Sequence, residues 1–117
     1  IRMTPLEITK KYVDLSNDGQ ISLIANLLDN NATYSSENVG IHYGKEAILQ
    51  MKNKFFAGLT HHHWEVLEYD QIKDQIIGFQ YKFTGKNLNG DEIKKSGYEI
   101  VVINLEGYIQ HVEVKNL

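Results

Sequence analysis

Tyr98 to Lys115 reads YEIVVINLEGYIQHVEVK, two runs of alternating apolar residues on either side of Asn104-Leu105-Glu106-Gly107. Period-two alternation around an Asn/Gly turn marks a β-hairpin. A two-residue turn centred on Leu105 and Glu106 sets Glu99 opposite Val112 and Val101 opposite Gln110. Directly opposed residues share a face, so Glu99, Val101 and Ile103 fall in one row with Tyr108, Gln110, Val112 and Val114. The row places a carboxylate among groups that should be packed. A buried carboxylate is either paired and structural or part of a site.

The segments before this hairpin extend it into a sheet. Trp64 to Tyr69, Gln75 to Thr84, Glu92 to Asn104 and Tyr108 to Lys115 read as strands, divided by turn signals at Lys73-Asp74, Asn89-Gly90 and Glu106-Gly107. The middle turn decides where Glu99 points. Two residues at Asn89-Gly90 pair Gln80 with Glu99 and Lys82 with Gly97, which turns Glu99 away from Phe79, Tyr81 and Phe83 and makes it an outer-face polar group. One bulge near Gly85 or Gly97, or a longer turn, returns the aromatic row and Glu99 to the same face. Both registers remain open in the sequence.

The first half of the chain is helical. Thr4-Pro5-Leu6-Glu7 combines a threonine cap, proline at the first helical position and a glutamate able to reach back to the cap. The helix it starts runs to about Asn17 with Ile8, Tyr12 and Leu15 on one stripe, so Tyr12 is carried inward. Asp18-Gly19 ends it. A second helix, about Gln20 to Leu28, has Ile21, Ile24, Leu27 and Leu28 inside. Ala32 to Ser36 reads as a short strand, Glu37 to Tyr43 as a loop, and Lys45 to about Ala57 as a third helix with Ile48, Met51 and Phe55 on one face and Gly58 as its stop. Helices segregated from an antiparallel run of strands define an α+β fold.

A length of 117 residues fits one domain, here 1–117. With a net charge of −3 and scattered lysines, neither a nucleic-acid groove nor a membrane surface is an expected partner. The chain has no cysteine, which removes disulfides and thiolate chemistry and is compatible with a cytoplasmic setting. No signal-peptide pattern opens the chain, in which Met3 follows Ile1-Arg2, and a cytoplasmic location is the default expectation.

Several pieces in a fixed order carry a resemblance: Tyr12-Val13-Asp14-Leu15 followed by Gly19-Gln20-Ile21, then Asp29-Asn30-Asn31-Ala32-Thr33-Tyr34. Next come Gly44-Lys45-Glu46-Ala47-Ile48, Phe83-Thr84-Gly85 with Gly90, and Leu105-Glu106-Gly107-Tyr108-Ile109. Covering nearly the whole chain, they resemble the nuclear transport factor 2-like superfamily, which includes SnoaL-like cyclases and ketosteroid isomerases. The resemblance implies a cone-shaped barrel, a curved and mostly antiparallel sheet wrapped over three N-terminal helices. It also implies that Tyr12 matches the tyrosine donating to an oxyanion in ketosteroid isomerases, and that Glu99 stands where that family keeps a protonated aspartic acid. Ser36 occupies the position of the family's aspartate base, and a neutral serine cannot take a proton from carbon unaided.

These observations give an expected site with Tyr12 and Glu99 as catalytic, polarising groups. Ser36, Phe55, Trp64, Phe79, Tyr81, Val101 and Val112 would line a pocket for a small apolar or cyclic ketone-like molecule. The expected chemistry is of isomerase or lyase type, with a histidine supplying the base. His61-His62-His63 makes a poor metal site, because adjacent strand residues alternate faces and zinc needs three or four convergent ligands; no metal or cofactor is expected. His42 is expected in a loop and His111 on the outer face. Two other functions remain open. One is a non-catalytic binding protein using the same cavity. The other is an association module whose cavity is filled by Phe55, Phe79 and Tyr81 and whose outer face, with Ile100 and Val102 beside Ile109 and His111, meets a partner. A homodimer through that face is the expected assembly.

Overall fold

Thr4 caps the first helix as its sequence requires: its Oγ1 accepts from Glu7 N at 3.1 Å, and Glu7 Oε1 accepts from Thr4 N at 2.8 Å. In the computed structural model, which describes residues 2–117, α1 spans Pro5–Asn17. Ile1, of the pair preceding Met3, lies outside the described residues. The buried face of α1 holds Ile8, Thr9, Tyr12, Val13 and Ser16, while Leu15 is only half-buried. Two of the hydroxyls on that face bond back to the helix, Thr9 to Pro5 O and Ser16 to Tyr12 O, so they cost little there.

After α1 come α2 (Ile21–Ala25), β1 (Leu28–Ser36), β2 (Gly40–Tyr43), α3 (Lys45–Ala57), β3 (Leu59–Lys73), β4 (Ile76–Asn87), β5 (Glu92–Ile103) and β6 (Ile109–Asn116). Two expectations need correction. The second helix is shorter than its apolar stripe suggested, because Leu28 already pairs with Ile109 of β6. The expected loop 37–43 contains β2, an edge strand pairing antiparallel with β1 from Thr33 opposite Tyr43 to Ser36 opposite Gly40. Its GIHY sequence is too short and too exposed to carry an alternation signal. One six-stranded sheet results, in the order β2-β1-β6-β5-β4-β3, antiparallel except where β1 lies parallel to β6. It is curved over the helices, giving an α+β cone. None of the helices among the described residues is long and apolar enough to cross a membrane.

Two loops of the same construction fix the register. Asn87 N donates to Asp91 O at 3.0 Å, and Asn104 N to Tyr108 O at 2.8 Å. In each loop the asparagine Oδ1 accepts two backbone N–H groups, those of Asn89 and Asp91 in the first and of Glu106 and Tyr108 in the second. Gly90 and Gly107 take the left-handed position, at φ 83° and 92°. A glycine in that conformation after a tight turn makes a three-residue loop where two residues were expected. The extra residue in the first loop pairs Phe79, rather than Gln80, with Glu99, and so brings Phe79, Tyr81 and Phe83 onto the face of Glu99. No bulge near Gly85 or Gly97 interrupts that ladder. In the second hairpin the longer loop is followed by a register shift between Val102 and Ile103, and two one-residue displacements restore the original parity. Glu99 therefore faces inward, but opposite Val114 and not Val112. Tyr108 and Gln110 leave the inner row, and Ile109, expected outside, is fully buried. His111 stays on the outer face, its Nδ1 at 2.6 Å from Thr33 Oγ1 and its Nε2 at 2.9 Å from Glu113 Oε1.

Candidate functional site

Helix α3 packs Ile48 inward, and one turn later the same face carries Lys52. Its flanking stripe of Met51 and Phe55 is apolar, so the lysine stem is drawn under the sheet, where only 7% of the residue remains exposed. The ammonium Nζ donates to Tyr12 Oη at 2.7 Å and lies 4.9 Å from the ring centres of both Tyr12 and Tyr34. Glu99, 6% exposed, projects from the adjoining wall of β5. Both residues border the same cavity of about 340 Å³. Among the described residues no hydrogen bond engages the Glu99 carboxyl, and no salt bridge joins it to Lys52.

The walls of this cavity are aromatic and aliphatic. Phe55 and Phe56 come from α3, Trp64 from β3, Phe83 and Tyr81 from β4, Ile93 from β5 and Val114 from β6. Trp64 and Phe83 pack with ring centres 4.8 Å apart, and Phe55 closes on both at 6.0 and 5.9 Å. Tyr81 lies across Gly97, its partner on β5; a Cβ there would come within 2.6 Å of the ring carbon Cε2, so glycine is what lets this tyrosine sit between Glu99 and Lys95. The polar part of the lining is the buried Ser36 with the exposed Asn38 and Lys95, which mark the open end. Ser36 Oγ accepts from Asn38 N at 3.0 Å, and Lys95 Nζ reaches Asn38 Oδ1 at 3.4 Å. A second, small recess of about 30 Å³ behind Glu99 and Lys52 is bordered by Tyr12, Ser16 and Phe79. That is space for about one water molecule.

Burial sets the electrostatics. It pushes the Glu99 carboxyl from 4.5 up to about 7, with the Lys52 ammonium pulling the other way. It lowers Lys52 from 10.5 to about 8, against the opposing pull of Glu99. Each charge is held in place by the other while the apolar walls favour the neutral forms. Burial, and after it the charge of Glu99, pushes the phenols up, Tyr81 to about 12 and Tyr12 and Tyr34 well above their ordinary value. All three remain hydrogen-bond donors near neutral pH.

Of the residues the sequence singled out, Glu99, Ser36, Phe55, Trp64 and Tyr81 border the main cavity, and Tyr12 and Phe79 border the recess behind it. Val101 and Val112 do not reach the wall. They pack as fully buried core beneath it, because the register opposes Glu99 with Val114, which takes the lining position instead. No histidine lines the cavity among the described residues, so the expected histidine base has no place there. His61 and His63 are exposed, His62 packs edge-on against Phe56 at 4.6 Å, and His42 sits on β2 bonded to Val39 O. Lys52, Tyr34, Phe56 and Lys95 were missed. Lys52 had left a signal, a lysine inside the Ile48, Met51, Phe55 stripe.

No family model matches the chain, and no curated protein matches it in sequence. Solved structures do. A nuclear transport factor 2-like protein of unknown function from Exiguobacterium superposes with a TM-score of 0.84 at 16% identity, over 94% of this chain and 98% of that one. An epoxide hydrolase/cyclase-like enzyme of pyran-ring formation in the polyether salinomycin gives 0.85 at 17% identity, over 97% and 90%. A protein with a ketosteroid isomerase-like fold from Catenulispora acidiphila, in complex with trimethylamine, gives 0.82 at 14% identity, over 96% and 85%. Likeness of shape at such low identity establishes architecture, and the architecture of this chain is the nuclear transport factor 2-like cone fold.

Proposed function

We propose that the cavity binds a small, largely apolar carbonyl compound and moves a proton on the carbon beside its carbonyl, the chemistry of an isomerase, cyclase or lyase. The observation that carries this reading is the Glu99 carboxyl. It is buried, without a hydrogen-bond partner among the described residues, and turned into an aromatic cavity with a buried ammonium nearby. A carboxyl whose pKa is near 7 is present in both forms at neutral pH, so Glu99 is able to act as base and then as acid. Lys52 and the hydroxyls of Tyr34 and Tyr12 supply donors for the oxyanion that forms as the proton leaves. This assignment gives Glu99 the role that Ser36 cannot fill. At the open end, Lys95 and Asn38 favour a ligand with a polar or anionic group on its far side. The epoxide hydrolase/cyclase-like enzyme among the similar structures lends support to chemistry of this class. A second copy of the chain is expected on the outer sheet face, where Ile100 and Val102 stay half-buried; light scattering checks it.

The test is exchange of the α-protons of 2-tetralone in D2O, followed by proton NMR. The native chain should exchange them faster than buffer does, and Glu99→Gln should lose about 10²-fold or more of the excess. Saturable binding of the ketone with exchange only at the buffer rate would replace this reading with that of a non-catalytic binding protein, the function that serine at position 36 keeps open.

A further inference from the structure

The proton chemistry above uses Lys52 only as a hydrogen-bond donor, yet its placement suits a more direct role. Its nitrogen is anchored by one hydrogen bond to Tyr12 Oη and by the faces of two phenol rings. Among the described residues no carboxylate lies within salt-bridge distance of it. Stripped of most of its water in an apolar pocket, a lysine amine loses its proton more readily, and its lone pair becomes available. The side chain borders both the main cavity and the recess behind it, with Glu99 lining both as well. Amine and carboxyl thus converge on one end of a cavity already shaped for an apolar carbonyl compound.

We infer that Lys52 is a nucleophile that condenses with the carbonyl carbon of a bound aldehyde or ketone to form an imine. The inference rests on the reading of this cavity as a carbonyl site. The ammonium first passes a proton to the Glu99 carboxylate through a water molecule in the recess that both residues border. The freed lone pair then forms a C–N bond as the C=O π pair moves to oxygen, which takes the proton back from Glu99. Glu99 next removes a proton from the new ammonium and returns it to the hydroxyl, and the C–O bond breaks to release water. Lysine ammonium and carbonyl have become protonated imine and water, with charge conserved and nothing oxidised or reduced. The protonated imine then withdraws electrons from the neighbouring carbon and acidifies its C–H bond, while Glu99, again ionised, is the base beside it.

The experiment treats the native protein at neutral pH with 6-methoxy-2-naphthaldehyde and cyanoborohydride, which reduces imines to stable amines, and maps the product by peptide mass spectrometry. The expected result is one adduct per chain, on Lys52, formed at least about tenfold faster than on any other amine and blocked by 2-naphthol competing for the cavity. Label spread over surface lysines with Lys52 unmodified overturns the inference, and so does a Lys52 adduct that 2-naphthol fails to block. A fluorescence titration with 2-naphthol separates the two claims. Saturable binding with Lys52 unlabelled discards the imine and leaves the carbonyl site standing, whereas failure to bind discards both.

Discussion

Replacing Glu99 by glutamine should reverse the way stability responds to pH. In the folded chain the carboxyl keeps its proton until about 7, whereas an ordinary glutamate gives it up near 4.5. Between those values the folded state binds more protons than the unfolded state, so raising the pH favours unfolding. From pH 5 to pH 6.5 the native chain should therefore lose roughly 2 kcal/mol relative to Glu99→Gln, at about 1.4 kcal/mol per pH unit. With a urea slope of about 1–2 kcal/mol/M, that is a relative shift of about 1–2 M in the unfolding midpoint. Other shifted groups do not imitate the effect. His62, lowered by burial and by its histidine neighbours, contributes stability that grows as pH rises toward 6.5, and the lowered Glu7 and Glu113 contribute stability lost only in acid; all three are present in both proteins. Lys52 does not disturb the comparison in this window, because the protonated Glu99 of the native chain and the glutamine of the variant both leave the ammonium without a neighbouring charge; the two proteins differ at Lys52 only at higher pH, once Glu99 ionises. Parallel stability curves for the two proteins between pH 5 and 6.5 would refute the assignment of a protonated, buried Glu99.

Tyr12→Phe removes the acceptor of the Lys52 ammonium and should cost about 1–3 kcal/mol in urea denaturation. Gly97→Ala drives a methyl group into the Tyr81 ring; a loss of about 1–3 kcal/mol is expected, together with weakened 2-naphthol binding as the ring swings into the cavity. Thr4→Ala dismantles the reciprocal cap of α1 and should lower stability by about 1 kcal/mol with probe affinity unchanged, because the cap lies away from the cavity.

The fold was legible wherever local chemistry acts alone. Thr4-Pro5 and Glu7 start α1, Gly44 and Gly58 bracket α3, and apolar alternation marks the four strands β3 to β6. Loop length was harder to read, since Asn-Leu-x-Gly occurs at both 87–90 and 104–107. Only the asparagine side chain bonding to two later amides distinguishes the three-residue loop from the two-residue turn that Asn-Gly ordinarily signals. Glu99 was found because a charge in an apolar row is conspicuous. Lys52 was overlooked although it breaks a helical stripe in the same way, and its long stem made an outward position equally reasonable. Tyr34 could not be placed from sequence, because its approach to Glu99 depends on the parallel pairing of β1 with β6 and on the curvature of the sheet, whereas Lys95, four residues before Glu99 on the same strand, shares its face by simple alternation and was overlooked. The histidines misled for a related reason. Three in a row draw notice, yet the one of them turned inward packs behind the cavity wall, against Phe56, and does not line the cavity itself.

The most direct test of Glu99 as the acid and base of the cavity is a pH titration of the glutamate side-chain carboxyl carbons by carbon-13 NMR, on the native chain and on Glu99→Gln. One carboxyl should titrate near 7 and vanish in the variant, with its midpoint raised further in Lys52→Met, where the ammonium that pulls it down is gone. A native spectrum in which every glutamate titrates in the ordinary range near 4.5 would contradict that role and leave the cavity without its acid and base.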